Sequence, residues 1–158
     1  MIDTVILVIP MNRFNITASW KFDPDAKGLF EAPFIPFAGQ HFVKCIQNAS
    51  KEDKARLIYM PRLTIIKRKS RAGLGFVISL KIEFSIPKLM YANNFDEVQD
   101  ADFEKVVNLL KLKLLKMGVI VSFEVLRTAE VQTVHYGKNI VYTRRTKKCV
   151  TLNLNVTK

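Results

Sequence analysis

The chain has 158 residues, a length that fits one globular domain and argues against two. Of these residues 49% are hydrophobic and only six are glycine and six proline, which argues against a disordered chain. Its 25 lysines and arginines outnumber its 14 aspartates and glutamates, and this formal charge of +11 favours a polyanionic partner, with nucleic acid the leading candidate. No apolar run approaches the roughly 20 residues of a membrane-spanning helix, and the N-terminal sequence lacks the features of a signal peptide. We therefore expect a single cytoplasmic domain over residues 1–158, with no membrane partner and with Cys45 and Cys149 as reduced thiols.

The first third of the chain is predicted to hold short strands around a long loop. Apolar runs predict strands at 4–10 and 41–47 and a weaker extended piece at 14–20. Prolines and glycines break any period between 22 and 39, which predicts a loop anchored on the core by its aromatic side chains. Residues 48–55 are typical of a polar turn or a single helical turn.

Two long strands joined by a basic loop are predicted next. Residues 57–67 have strand character, with Pro61 at an edge or a bulge. The basic run 67–73 predicts a hairpin loop, which can contact phosphates or can be an ordinary solvated loop. The second strand, 74–86, alternates apolar and polar side chains, as a strand with one buried face does. Its apolar members are Leu80, Ile82, Phe84 and Ile86, and its polar members are Lys81, Glu83 and Ser85.

One main helix, at about 101–117, is the clearest helical prediction. Apolar residues recur at spacings of three and four and form one stripe that should face the core: Phe103, Val106, Val107, Leu110, Leu114 and Met117. Asp100 suits the N-cap, and Gly118 is placed to end the helix. Leu109, Leu112 and Leu115 lie off the stripe, which predicts self-association or docking of another segment at that surface.

Strands are predicted again after the helix, at 119–126, 131–142 and 149–156. The order of strands, one main helix and further strands predicts an α+β fold. We expect a largely antiparallel sheet of about six to eight strands, with the helix packed on one face.

Basic residues cluster in two parts of the sequence, around the predicted hairpin loop and near the C-terminus. From His135 to Lys158 there is no acidic residue. Charge segregated in this way favours phosphate contacts. The predicted DNA-binding residues are Lys67, Arg68, Lys69, Arg71, Arg144, Arg145, Lys147 and Lys148.

The sequence contains no phosphate-binding glycine loop, zinc spacing or serine-nucleophile motif. Tyr136 is the candidate catalytic residue, because a tyrosine hydroxyl can attack a DNA phosphate. Glu83 and His135 are the candidate ligands of a divalent metal that would polarise that phosphate. The alternatives are a half-buried aromatic pair at 135–136 and a Glu83 that pairs with a neighbouring cation. Since adjacent strand residues point to opposite faces, His135 and Tyr136 do not easily serve one site.

Four segments carry a resemblance to a known family: MIDTVILVIP, PRLTIIKR, the stretch 80–118 and AEVQTVHYGKNI. Together they resemble the N-terminal half of phage and plasmid replication proteins of the gene II/X class. Those proteins initiate rolling-circle replication by binding an origin and nicking one strand with a tyrosine and a divalent metal. The resemblance implies that the nicking tyrosine and further acidic ligands lie downstream of the matched region. Residues 1–158 would then be the N-terminal fragment of a larger replication protein, a decayed copy or a short relative, and the missing C-terminal half would dock at Leu109, Leu112 and Leu115.

Three functions follow as hypotheses. The first is a protein that binds single-stranded or duplex origin DNA and keeps the N-terminal scaffold of such an initiator without a complete nicking site. The second is an active nickase that requires Mg²⁺ or Mn²⁺. The third is a protein–protein interaction module without enzymatic activity.

Overall fold

The computed structural model describes residues 2–31, 42–70, 75–93 and 102–137. None of the helices in these ranges is long and apolar enough to cross a membrane. In chain order the described elements are β1 (Ile2–Pro10), β2 (Phe14–Ile16), α1 (Ala26–Glu31), β3 (Phe42–Gln47), α2 (Lys51–Ala55), β4 (Arg62–Lys69), β5 (Phe76–Ser85), α3 (Ile86–Tyr91), α4 (Phe103–Lys116), β6 (Val119–Val121), α5 (Phe123–Arg127) and β7 (Glu130–Tyr136).

Five antiparallel strands form the main sheet in the order β3-β4-β5-β1-β7. The two short strands β2 and β6 make a separate antiparallel ladder. The predicted α+β architecture, with a largely antiparallel sheet and one main helix, is therefore confirmed. The strands divide into two sheets, because β2 and β6 pair with each other and not with a strand of the main sheet.

One face of the main sheet forms the floor of the hydrophobic core. Because side chains alternate along a strand, every second residue of β1, β4 and β5 points into this core. These residues are Val5, Leu7, Ile9, Leu63, Ile65, Leu80, Ile82 and Phe84, all of them buried. Helix α4 contributes Val106, Val107, Leu110 and Leu114 to the same cluster, and α5 contributes Leu126.

The predicted helical stripe is buried except at its first member. Phe103 is 52% exposed, although it lies on the same side of α4 as the buried residues. It borders an open apolar cavity of about 590 Å³ between α4, α5 and the strands β1 and β7. Ile2 and Val131 line the same cavity and are likewise about half exposed, so the core is incompletely covered at this end.

Groups from distant parts of the chain satisfy the C-terminal carbonyls of α4. The Gln47 amide donates to the Met117 carbonyl and the Lys21 ammonium to the Lys116 carbonyl, both at 3.0 Å. A positive charge at this position also complements the helix dipole. Lys116 donates to the Asp53 carboxylate at 2.6 Å, and together with the Ser50 hydroxyl it holds the pKa of that carboxyl below its ordinary value.

Several predicted boundaries differ from the structure, and in three places a short helix follows a strand or replaces a loop. The predicted strand at 119–126 ends at Val121, where the Ser122 hydroxyl accepts from the Val125 amide and begins α5. The strand β5 ends at Ser85, whose hydroxyl caps α3 in the same way, with Pro87 in the first turn. The predicted loop at 22–39 contains α1 in its described part. The predicted strand at 149–156 lies outside the described residues.

Cys45 on β3 is fully buried, and burial raises the pKa of its thiol from 9.0 to about 11. Because the thiolate is the reactive form, we expect the native protein to react with a disulfide reagent at pH 8 roughly 100-fold more slowly than the denatured protein. The measurement uses a Cys149→Ser variant, so that only Cys45 reports. Equal rates with and without denaturant would show that the thiol is accessible in the folded protein.

Candidate nucleic-acid interface

The second face of the main sheet, which we call the open face, is formed by the residues that alternate with the core residues. Its apolar members, such as Val8, Ile46, Ile66 and Val77, do not pack against the core cluster. Most of its side chains are half-buried or exposed, and Phe42 is 48% exposed. Ile6, which lies on this face in β1, is only 7% exposed, so the accessible part of the face is formed by β3, β4 and β5.

Four cations lie on the open face in four successive rows of cross-strand neighbours. Arg62 faces Glu83 in the first row, Lys81 faces Thr64 in the second, Lys44 faces Ile66 in the third and Arg68 faces Val77 in the fourth. Successive rows are two residues apart along a strand, or about 7 Å. Each row thus contains one cation, on one of three neighbouring strands, and the first row also contains the carboxylate of Glu83.

These four cations have no neutralising contact within the described ranges. The ion pairs found there join Lys27 with Glu31, Arg56 with Glu52, Lys116 with Asp53, and Arg127 with Glu124. None of them lies on the open face. Glu83 is directly opposite Arg62 and lowers the net positive charge of the first row without forming a close ion pair.

Apolar side chains separate the cations. Ile46 lies in the row of Lys81, Ile66 lies beside Lys44, and Phe42 and Val77 flank Arg68 on the neighbouring strands. Cations that alternate with exposed apolar and aromatic groups can contact phosphates while the bases lie on the sheet.

The structure divides the residues predicted for DNA binding. Lys67 is buried, and its ammonium donates to the Leu29 carbonyl at 2.9 Å and lies 5.2 Å from the centre of the Phe76 ring. β4 continues to Lys69 and its alternation turns Lys67 into the core, so the Lys67 ammonium does not lie on the open face. Arg68 and Lys69 are exposed. Arg71, Arg144, Arg145, Lys147 and Lys148 lie outside the described residues.

The candidate catalytic and metal-binding residues do not come together. Glu83 on β5 and His135 on β7 share the open face, but β1 lies between them, where they are paired with Ile6 and Thr4. Because β1 lies between them and they pair with different residues of β1, their side chains are not cross-strand neighbours in the sheet. Tyr136 is 56% exposed and follows His135 directly in the strand. Among the described side chains there is no group of three His, Cys, Asp or Glu residues that could hold a metal.

The three leucines predicted to mediate self-association differ in exposure. Leu109 is half-buried and packs against the core cluster. Leu112 and Leu115 are 62% and 57% exposed on the outer side of α4. Self-association through these two leucines stays a prediction.

Three of the four open-face cations were missed at the sequence level, although a signal was present. The alternation in β4 places Arg62 and Arg68 opposite Leu63 and Ile65, and the alternation in β5 places Lys81 opposite Leu80 and Ile82. Lys44 could be assigned in the same way from its position before the buried Cys45. What the sequence does not contain is the strand register, which brings these cations into successive rows.

Compared with protein-family models, with curated proteins and with solved structures, the chain shows no significant match.

Proposed function

We propose that this protein binds DNA, in single-stranded form, along the open face of its main sheet. The observation that carries the proposal is the row-by-row placement of Arg62, Lys81, Lys44 and Arg68, none of which is paired within the described residues. Unpaired cations in successive rows suit a polymer that carries one phosphate per unit.

The composition of the surface favours a single strand over a duplex. A duplex presents its bases only in its grooves, which a helix or a two-stranded ribbon can enter. The open face is broad and is formed by neighbouring strands of one sheet, with apolar groups between the charges. Unpaired bases can stack or pack on such groups, and Phe42 is the exposed aromatic residue among them.

The biological setting that we propose is DNA replication. The resemblance to rolling-circle initiators supports DNA as the polymer and an origin as its location. The described residues support binding without strand cleavage, because Tyr136, His135 and Glu83 are not gathered into one site. We therefore propose a role as a binding scaffold rather than as a nickase.

The proposal is tested with a variant in which three open-face cations become glutamine: Lys44→Gln, Arg62→Gln and Lys81→Gln. Binding of a fluorescent 20-nucleotide single strand is measured by anisotropy across a series of salt concentrations. Each lost phosphate contact should reduce the slope of log affinity against log salt by about 0.7. The triple variant should therefore lose about 2 in slope and roughly 10- to 100-fold in affinity at 0.1 M salt.

A matched control removes three exposed lysines away from the open face: Lys54→Gln, Lys88→Gln and Lys105→Gln. Both triple variants have the same net charge, so a general effect of charge would weaken them equally. We expect the control to bind within about twofold of the wild type, as uncontacted charges at these distances are largely screened. Equal losses in the two variants, or tighter binding of a duplex of the same sequence, would contradict the proposal.

A further inference from the structure

A groove of about 320 Å³ lies at the fourth-row end of the open face, where β1 turns away from the sheet. Arg68 on β4 and Arg13, three residues beyond the end of β1, both line it. Neither guanidinium forms an ion pair or a side-chain hydrogen bond with another residue in the described ranges. Two unpaired guanidinium groups in one groove are a suitable site for a phosphate, which arginine can bind through two parallel hydrogen bonds.

The groove also has an apolar side. Val77 on β5 and Val125 and Ala129 around α5 line it, and all three side chains are partly or largely accessible. A bare anion would leave this apolar surface in contact with water. A phosphate that carries an attached planar ring would cover it.

A carboxylate completes the lining. Glu130 begins β7, lines the groove and makes no ion pair within 4.0 Å with a described cation. Its charge opposes binding of an anion alone. It can instead accept a hydrogen bond from the amino group of a base, as carboxylates do with cytosine N4.

From these contacts we infer that the groove holds one nucleotide of a bound strand. Its phosphate lies on Arg13 and Arg68, its base packs against Val77 and Val125, and an amino group of the base donates to Glu130. This inference rests on the proposed function, since it makes the groove the point where one unit of a strand on the open face is held. The inference also predicts that the groove prefers bases that carry an amino group.

The test uses 2′-deoxycytidine 5′-monophosphate as the probe and follows its binding by NMR titration. We expect saturable shifts in the wild type, and at least 10-fold weaker binding in Arg13→Gln and in Arg68→Gln. The triple variant of the open face (Lys44→Gln, Arg62→Gln, Lys81→Gln) should bind the mononucleotide with an affinity within twofold of the wild type, because it leaves the groove intact. Glu130→Gln should reduce the preference for the cytosine over the thymine mononucleotide.

Inorganic phosphate and deoxyribose 5-phosphate distinguish a nucleotide site from an anion site. Both should bind at least fivefold more weakly than the mononucleotide. Equal binding of inorganic phosphate, or unchanged mononucleotide binding in Arg13→Gln, would overturn the inference. If the wild type binds the single strand but not the mononucleotide, only the inference about the groove is wrong. If it binds the mononucleotide but not the single strand, only the proposed function is wrong.

Discussion

Leu114→Ala is expected to lower the free energy of unfolding by about 2 to 5 kcal/mol, the range observed when a buried leucine is truncated. Leu114 is fully buried near the C-terminal end of α4 and belongs to the cluster that joins this helix to the sheet. Its loss removes apolar burial and leaves a cavity that the neighbouring strands are too constrained to fill. Urea denaturation followed by circular dichroism measures the change.

Leu112→Ala on the same helix is the matched control. It removes the same atoms, but Leu112 is 62% exposed, so we expect a change within about 0.5 kcal/mol. If the two substitutions destabilised the protein equally, the assignment of the buried side of α4 would be wrong.

Gly118→Ala is expected to destabilise the protein by about 2 to 4 kcal/mol through two additive effects. Gly118 links α4 to β6 with a φ of +82°, where a side chain adds strain. A β-carbon there would also overlap the β-carbon of Ala18 and lie 3.2 Å from its amide nitrogen. The Thr17 amide holds the two segments together by donating to the Gly118 carbonyl at 2.8 Å, so they cannot easily separate.

A second substitution separates the strain from the overlap. Ala18→Gly added to Gly118→Ala removes the contact between β-carbons and should restore about half of the lost stability, while the unfavourable φ remains. Gly28→Ala in α1 is the control, since a β-carbon there meets no atom within 4 Å and alanine favours a helix. Destabilisation by Gly28→Ala similar to that by Gly118→Ala would contradict the proposed cause.

The long periodic elements could be predicted from the sequence, because burial imposes their period on it. The stripe of α4 and the alternation of β5 gave the right type of element in nearly the right place. The short helices α3 and α5 could not be found from periodicity, as each has at most six residues. Their signal is instead a serine N-cap, at Ser85 and Ser122, and this signal is visible in the sequence.

The candidate site was less predictable than the fold, for a physical reason. Lys67 and Arg68 look equivalent in a basic run, yet they point to opposite faces because the strand extends through both. Arg13 gave no signal at all, since it approaches Arg68 only through the turn that follows β1. Charge along a sequence therefore indicated a polyanionic partner but not the surface that would bind it.

The alternation of β4 also affects the register in which this strand pairs with β5. A shift of this strand by one residue against β5 would move Arg62 and Arg68 into the core and expose Leu63 and Ile65. Burying two unpaired guanidinium groups is so costly that this misaligned pairing is strongly disfavoured. Arg62 and Arg68 therefore favour the native register of β4 whether or not a ligand is bound. Replacing both with leucine rather than glutamine would remove this preference, and misaligned, aggregation-prone sheets would then compete with the native one.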